Sequence, residues 1–291
     1  MYKYNKLWVY LFILPTLLVF LTFYFVPILT VFTTGFMEWN GFNTAKFIGF
    51  DNYKMIFLDD NSIIVSLMNL LKWSLIAAFI HVPFGALVAF IIFKRPVGWR
   101  FVRGVFMIPN VIAVSAWAII YRFIFNDQMG LLNNFIRKLG FTNFHTNWFF
   151  DQQYAFSAIS LTWVFYAVIV TLLVLSDLMA IPKELHEAAK IDGATEAQIH
   201  WRINLPLIRG SLGTAVILSI IARITMFEAI FLTTKGGPGN STYNISVMLY
   251  DGIINYQFGY ANAVATIMII LGIGVLAITT KVFKMNKSVY N

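Results

Sequence analysis

Hydrophobic and polar positions fall in long blocks along the chain, with apolar stretches separated by short polar segments. About 20 consecutive apolar residues are enough for a helix to cross the hydrocarbon core of a bilayer, and a helix satisfies its own backbone there. The pattern therefore predicts an all-α polytopic membrane protein that forms a single transmembrane domain over residues 1–291. The six predicted transmembrane helices are residues 7–34, 62–93, 104–125, 154–180, 208–233 and 260–283.

Lysine and arginine lie mainly in the predicted loops on one side of the membrane. With six spans, both termini lie on the same side of the membrane, and successive loops alternate between the two sides. The side of the termini holds more than twice as many basic residues as the other. Since cytoplasmic loops carry an excess of lysine and arginine, we predict that both termini are cytoplasmic.

The composition excludes several other classes of protein. Of the 291 residues, 59% are hydrophobic and 12% are charged, whereas a soluble domain carries about 25% charged residues. The chain has no cysteine, which excludes disulfides, cysteine metal ligands and thiol nucleophiles. The loops account for its formal net charge of +8, so this charge does not argue for nucleic-acid binding.

One polar segment, ELHEAAKIDGATEAQIHWRINLP, is rich in ionisable side chains and lies between the fourth and fifth predicted spans. It predicts a short helix over residues 183–191. Asp192-Gly193 would end this helix, because glycine tolerates the left-handed backbone found at helix ends. A second helix is predicted to begin at Thr195, with Gln198 completing a capping box. These features alone leave two interpretations open, a solvated loop between spans and a surface that docks a partner.

The spacing of residues in this segment, over 182–206, resembles a known signature. Glu187-Ala188-Ala189 is followed after three residues by Gly193 and, after nine more, by Ile203-Asn204-Leu205-Pro206. This pattern resembles the EAA loop of the membrane subunits of binding-protein-dependent ABC importers. Three further stretches are similar to the sugar-importer branch of that family, in particular to compact six-span permeases of the maltose and glycerol-phosphate type: residues 47–57, 101–141 and 227–250.

The resemblance implies a mechanical role for the segment. In that family the EAA segment is a cytoplasmic coupling helix that docks in a cleft of an ATPase subunit. Closure of two ATPases around ATP then switches the spans between inward and outward access. The resemblance assigns the docking contact in this chain to Glu187, Ala188, Ala189, Asp192, Gly193 and Ala194.

The resemblance also implies a setting and a set of partners. The setting is a prokaryotic plasma (inner) membrane, and the partners are a second homologous permease, two ATP-binding ATPase subunits and an extracellular solute-binding protein. The ATPases would use ATP and Mg²⁺. This chain would bind no cofactor or metal, and it contains no G-x-x-x-x-G-K-[ST] motif. The predicted function is the translocation path of an ABC importer for a carbohydrate, preferably an oligosaccharide, without enzymatic activity of its own.

Polar and aromatic residues within the spans are the candidates for substrate contact, because polar groups are costly in a bilayer and by default indicate function. The fifth span contains Arg223 and Glu228, for which structural pairing is the alternative interpretation. Aromatic side chains can stack on sugar rings, but they also pack in cores or anchor spans at the interface. The chosen candidates for the substrate path are Trp163, Tyr166, Phe227 and Glu228.

Other functions remain as alternatives. The transported solute can instead be a polyol or glycerol phosphate. A membrane-embedded enzyme or an ion channel is a different class, but the four histidines are scattered and neither H-E-x-x-H nor G-x-S-x-G occurs. No repeat resembling a selectivity filter is present either. Neither of these classes accounts for the spacing of the EAA-like residues.

Overall fold

The computed structural model describes residues 6–59 and 61–285, and these residues are mostly helical. In chain order the helices and strands are α1 (Lys6–Phe20), α2 (Val26–Thr34), β1 (Met37–Glu38), β2 (Lys46–Phe47), α3 (Asp51–Lys54), α4 (Ser62–Ile76), α5 (Val82–Phe93), α6 (Trp99–Met107), α7 (Val114–Ile124), α8 (Leu131–Lys138), α9 (Ala155–Leu161), α10 (Val168–Ala180), α11 (Lys183–Ile191), α12 (Glu196–Ile199), α13 (Leu205–Leu207), α14 (Arg209–Ile224), α15 (Glu228–Phe231), α16 (Ile245–Ile254) and α17 (Phe258–Val282).

The described residues form two compact units. Unit 1 holds the described residues up to Asn61 together with Met248–Ile270. Unit 2 holds Ser62–Val247 and the described residues from Leu271 onward. The single domain predicted over residues 1–291 stays a prediction.

Unit 1 contains the first long apolar helix and a small hairpin. The helix, Trp8–Thr34, has no buried residue in its most apolar part. Strands β1 and β2 pair antiparallel. Beside them the buried Asn52 donates its Nδ2 to the carbonyl oxygens of Gly35 and Met37, at 2.9 Å each. The start of α17 lies so close to the hairpin that a side chain at Gly259 would overlap the Met37 carbonyl, which leaves room only for glycine.

Wider π turns allow apolar helices to continue through prolines. Proline has no N–H, and its ring crowds the carbonyl four residues earlier. At three places a five-residue π turn ends two residues before a proline: Pro27, Pro83 and Pro206. The wider turn gives the ring room, so that α1 and α2 form one long helix and α4 and α5 form another.

The main core of unit 2 forms where α10 packs between α5 and α14. Helices α5 and α10 approach closely at Gly85, where an added Cβ would lie 2.7 Å from Val170. The hydroxyl of Thr171 donates to the Gly85 carbonyl at 2.9 Å. This close packing fixes α10, which connects the two sites described below.

Three of the six predicted spans are not continuous helices. The span predicted at 104–125 contains α6 and α7, whose segments meet at 106°. Residues 162–167 interrupt the fourth predicted span, and residues 225–227 interrupt the fifth. Within residues 6–59 and 61–285, three helices are long and apolar enough to cross a membrane, or up to five if each bent pair is one span. The count of six transmembrane helices stays a prediction.

Buried side chains bond the backbone carbonyls that the break at 225–227 frees. The hydroxyl of Ser246 donates to the Ile224 carbonyl at 2.6 Å, and Asn244 Nδ2 donates to the Met226 carbonyl at 2.8 Å. Asn244 Oδ1 also accepts the N–H of Val247 at 3.0 Å, which caps the start of α16. The buried Asn244 amide therefore bonds a carbonyl freed by the break and also caps the first turn of α16.

We expect Asn244→Ala to destabilise the protein. The change leaves the buried Met226 carbonyl without its partner, at a cost of about 1–3 kcal/mol, and removes a cap worth about 1 kcal/mol. Thermal unfolding of the purified chain in detergent would show this as a lower midpoint. The matched control is Asn43→Ala at an exposed position, which should unfold like the wild type. An unchanged midpoint for Asn244→Ala would contradict the assigned role.

Candidate functional site

The helix breaks converge on one cavity of unit 2. The cavity has a volume of about 400 Å³, and its wall comes from the α6–α7 corner, from the break at 162–167 and from the break at 225–227. Irregular backbone at membrane depth is tolerated where it is buried or lines a cavity. Transporters place their substrate sites at such discontinuous helices.

All four substrate-path candidates line this cavity. Trp163 and Tyr166 lie in the fourth-span break, whereas Phe227 and Glu228 lie at the fifth-span break. Trp163 is buried and Glu228 is exposed. The structure thus brings together four residues that the sequence placed in two different spans, while their contact with a substrate stays a prediction.

A fifth residue on the cavity wall, Arg223, was not among the chosen candidates. Its guanidinium carbon lies 4.0 Å from the centre of the Trp163 ring, a cation–π contact that contributes about 2 kcal/mol where it is desolvated. Among the described residues Arg223 forms no ion pair, so the pairing with Glu228 considered from the sequence is absent. The signal that could have selected it is a charged side chain within an otherwise apolar run.

The Trp163 ring also contacts the His81 ring. The His81 ring packs edge-on against it, with the ring centres 5.6 Å apart. His81 Nδ1 donates to the Val164 carbonyl at 3.0 Å, one of the carbonyls freed by the fourth-span break. His81 therefore supports the break and orients Trp163, a role that its isolated position in the sequence does not reveal.

The cavity wall is rich in hydrogen-bond donors that have no partner. In the described part of the chain, Trp163 Nε1, the Tyr166 hydroxyl and Arg223 Nε are buried and form no hydrogen bond. Buried polar groups are nearly always bonded, and leaving one unbonded costs about 1–3 kcal/mol. Together with the Glu228 carboxylate and the aromatic surfaces, these donors suit a ligand with many hydroxyl or acidic oxygens.

The polar segment at 182–206 forms the two predicted helices. Helix α11 ends at Ile191, and Gly193 follows with a φ of +75°. The N–H of Ala194 donates to the Ala189 carbonyl at 2.9 Å, and the N–H of Gly193 donates to the Lys190 carbonyl at 3.1 Å. These two bonds form a Schellman motif.

The second helix of the segment begins at the predicted capping box. Gln198 N–H donates to the Thr195 hydroxyl at 3.3 Å, and the Thr195 N–H donates to Gln198 Oε1 at 2.8 Å. Both the helix over 183–191 and the capping box at Thr195 are therefore confirmed. A π turn at His200–Asn204 accommodates Pro206, and the helix ends one residue later, at Leu207, where the chain bends by 65° into α14.

A buried asparagine joins the two arms of the segment. His186 Nε2 donates to Asn204 Oδ1 at 2.7 Å, and Asn204 Nδ2 donates to His200 Nδ1 at 2.8 Å. Asn204 is 1% exposed. In the sequence these histidines look scattered. His200 lies four residues from Asn204 on the same helix, whereas His186 lies eighteen residues away and reaches Asn204 only because the chain turns at Gly193.

The residues assigned to partner docking lie mainly on the outer side of this turn. Glu187, Ala188, Asp192 and Gly193 are exposed, whereas Ala189 and Ala194 are half-buried. An added Cβ at Gly193 would meet no atom of the described residues within 4 Å. Ile191, beside these residues, is 87% exposed. Residues 6–59 and 61–285 therefore leave the outer side of the turn uncovered.

Comparison with known proteins identifies the family. Residues 81–285 match the model of the binding-protein-dependent transport system inner membrane component. The chain belongs to this family. It is thus a permease subunit of an ABC importer and a multi-pass membrane protein, and it is not an enzyme.

Individual relatives agree with this assignment along nearly the whole chain. The chain is 31% identical to the probable ABC transporter permease protein YurN of Bacillus subtilis, over 97% of this chain and 98% of YurN. It is 30% identical to the multiple sugar-binding transport system permease protein MsmF of Streptococcus mutans, over 94% of each chain. In structure it is similar to a chain of a bacterial alginate ABC transporter crystallised with an alginate pentasaccharide-bound periplasmic protein. The TM-score is 0.80 at 20% identity, over 95% of this chain and 93% of that one.

The stability of the permease should decrease as the pH falls below neutral. Asn204 donates to His200 Nδ1, so this bond requires a neutral ring. Burial, followed by the nearby Lys94, lowers the pKa of His200. Because the unfolded chain then binds the proton more readily, the free energy of unfolding is largest above the unfolded pKa of about 6.5 and falls below it.

Thermal unfolding midpoints measured at pH values above and below about 6.5 would test this loss of stability with acidity. His200→Gln should make the fall with acidity shallower, whereas His145→Gln, at an exposed residue, should keep the wild-type slope. Equal slopes for the wild type and His200→Gln would show that this histidine does not contribute.

Proposed function

We propose that this permease forms the translocation path for a carbohydrate, preferably an oligosaccharide, in an ATP-driven importer. The observation that carries the proposal is one cavity in unit 2. Three helix breaks form its wall, and the four candidate residues and three donor atoms without a hydrogen-bond partner lie on that wall. The relative MsmF, named for a multiple sugar-binding transport system, supports the same solute class.

The wall of the cavity suits a sugar in two ways. Saccharides present apolar C–H faces, for which the aromatic side chains of Phe227 and Tyr166 offer packing surfaces. Their hydroxyl and ring oxygens accept hydrogen bonds, which the free donors of Trp163, Tyr166 and Arg223 can supply, while Glu228 accepts from sugar hydroxyls. The wall thus offers complementary groups for both parts of a saccharide.

The charge of Arg223 favours a second candidate substrate. A guanidinium binds carboxylate and phosphate groups in a planar, bidentate way, and this one has no carboxylate partner among the described residues. A solute that bears an anionic group, such as glycerol phosphate or an acidic saccharide, would provide that partner. A neutral oligosaccharide would instead use Arg223 as a donor to hydroxyl oxygens.

In our proposal the segment at 182–206 is the cytoplasmic coupling helix region. An ATPase subunit docks on Glu187, Ala188, Ala189, Asp192, Gly193 and Ala194. Two such ATPases use ATP and Mg²⁺, a second homologous permease completes the path, and an extracellular solute-binding protein delivers the solute. The path spans a prokaryotic plasma (inner) membrane with six transmembrane helices and cytoplasmic termini. Movement of the docked segments switches access to the cavity between the two sides of the membrane.

Substitution at Gly193 should uncouple transport. A β-branched side chain at a left-handed position costs about 1–2 kcal/mol, and Gly193→Val would also place bulk on the proposed docking face. We expect loss of solute uptake and of ATPase co-purification, with normal membrane insertion. Affinity purification of the chain from its native host, followed by mass spectrometry, measures the ATPase.

Gly140→Val is a matched control for that experiment. Gly140 also has a positive φ, of +109°, and no atom of the described residues lies within 4 Å of an added Cβ, so a side chain strains the backbone at both positions but lies on the docking face only at Gly193. This variant should retain the ATPase and transport. If the wild-type chain is recovered without any ATPase, the proposed coupling role is wrong.

Arg223→Gln should reveal the charge of the solute. In native cells carrying this change, uptake of an anionic solute should fall at least about tenfold, as expected for a lost charge-assisted pair. Uptake of a neutral oligosaccharide should change much less. Arg122→Gln, at an exposed arginine of α7, is the control and should transport normally. Equal loss of all solutes, at unchanged protein level, would assign Arg223 to structure instead.

A further inference from the structure

A second cavity of unit 2 includes residues of the polar segment at 182–206 and shares no lining residue with the first cavity. Its volume is about 460 Å³, and its wall comes from the end of α5, from α6, from the end of α10 and from α11. None of the residues argued to bind the transported solute contributes to it.

One side of this cavity is apolar. It is formed by residues of α5 and α10, with Leu178 fully buried and Met179 62% exposed at the opening. These residues belong to stretches apolar enough to lie in the hydrocarbon region. A ligand portion that lies against this wall must therefore be apolar.

The other side of the cavity is cationic. Arg95, Arg103 and Lys183 line it, and all three are exposed. In the part of the chain that the structure describes, none of them forms an ion pair with a carboxylate. The acidic residue of α10, Asp177, accepts a hydrogen bond from Ser211 of α14 instead of facing these cations.

Helix α6 has the character of an element at a membrane–water interface. Trp99 is half-buried, and the guanidinium carbons of Arg95 and Arg100 each lie 5.7 Å from its ring centre. The helix also exposes large apolar side chains, including Phe101 at 76% between Arg100 and Arg103. Tryptophan, arginine and exposed apolar residues in one short amphipathic helix are typical of the headgroup level of a bilayer.

We infer that this cavity binds an anionic phospholipid. The phosphate would lie between Arg95, Arg103 and Lys183, and an acyl chain would lie along the apolar wall of α10. The two sides of the cavity together select this occupant. A neutral lipid would give Arg95, Arg103 and Lys183 no anionic partner, and a soluble anion would leave the apolar wall uncovered. Basic pockets at the ends of transmembrane helices favour anionic headgroups for the same reason.

The site has a consequence for the neighbouring segment. Lys183 and His186, which also lines the cavity, belong to α11, and His186 bonds Asn204 in the second arm of the segment. A lipid bound here joins the α5–α6 corner to α11 and stabilises its orientation. The inference does not depend on the identity of the transported solute.

Native mass spectrometry of the purified full-length chain in neutral detergent tests the site. Dioleoylphosphatidylglycerol should remain bound, whereas dioleoylphosphatidylcholine should not. The double variant R103Q/K183Q should retain at least about fivefold less phosphatidylglycerol, since each charged contact contributes about 1 kcal/mol. The control K46Q/K138Q removes two exposed lysines elsewhere and should bind like the wild type. R103K/K183R keeps the charges and should retain binding, which separates loss of the site from misfolding.

Three results would overturn the inference. One is equal retention of phosphatidylglycerol by the wild type and R103Q/K183Q. Another is full displacement of the lipid by millimolar glycerol phosphate, which would indicate a site for a soluble anion. The third is loss of phosphatidylglycerol binding in the complex that contains the ATPase, since the cluster would then belong to a protein interface.

Discussion

A backbone carbonyl inside a bilayer needs a hydrogen-bond partner from the protein, and this constraint shapes unit 2. Each unsatisfied group costs several kcal/mol because the hydrocarbon offers no water. The fourth and fifth predicted spans nevertheless break within their apolar length. The breaks persist because Ser246, Asn244 and His81 bond the freed carbonyls. The cavity, with its unpaired donors, is possible only because these three side chains satisfy the backbone around it.

The two proposed sites are joined by two helices. Helix α10 begins directly after the fourth-span break and ends at α11, while α14 begins after the polar segment and ends at the fifth-span break. They pack against each other, and the Ser211 hydroxyl donates to Asp177 near their common end. At 1.5 Å per residue each helix is roughly 20 Å long. In the proposed mechanism, these two packed helices would transmit a displacement of the segment to the cavity wall.

How far the sequence predicts this structure depends on how local the relevant interaction is. The helix over 183–191, the turn at Gly193 and the capping box at Thr195 follow from bonds between residues a few positions apart, and all were predicted. The positions of the breaks were not predicted, because hydropathy is averaged over about 20 residues and gives no information on which backbone carbonyls lack a hydrogen bond. The partners that permit the breaks are remote, as with Asn244 and Met226, eighteen residues apart. The substrate-path candidates could be chosen by residue type, but their common cavity required the three-dimensional structure.

The two caps of the polar segment bear on how strongly a partner protein could bind it. The Schellman motif at Gly193, the capping box at Thr195 and the Asn204 bridge are all internal to the permease, so the segment is folded before any partner arrives. Segments that fold on binding lose part of their interaction energy to ordering, typically about 2–5 kcal/mol. A preorganised segment avoids this loss. If an ATPase docks on this segment as proposed, a small contact surface would be enough to bind it.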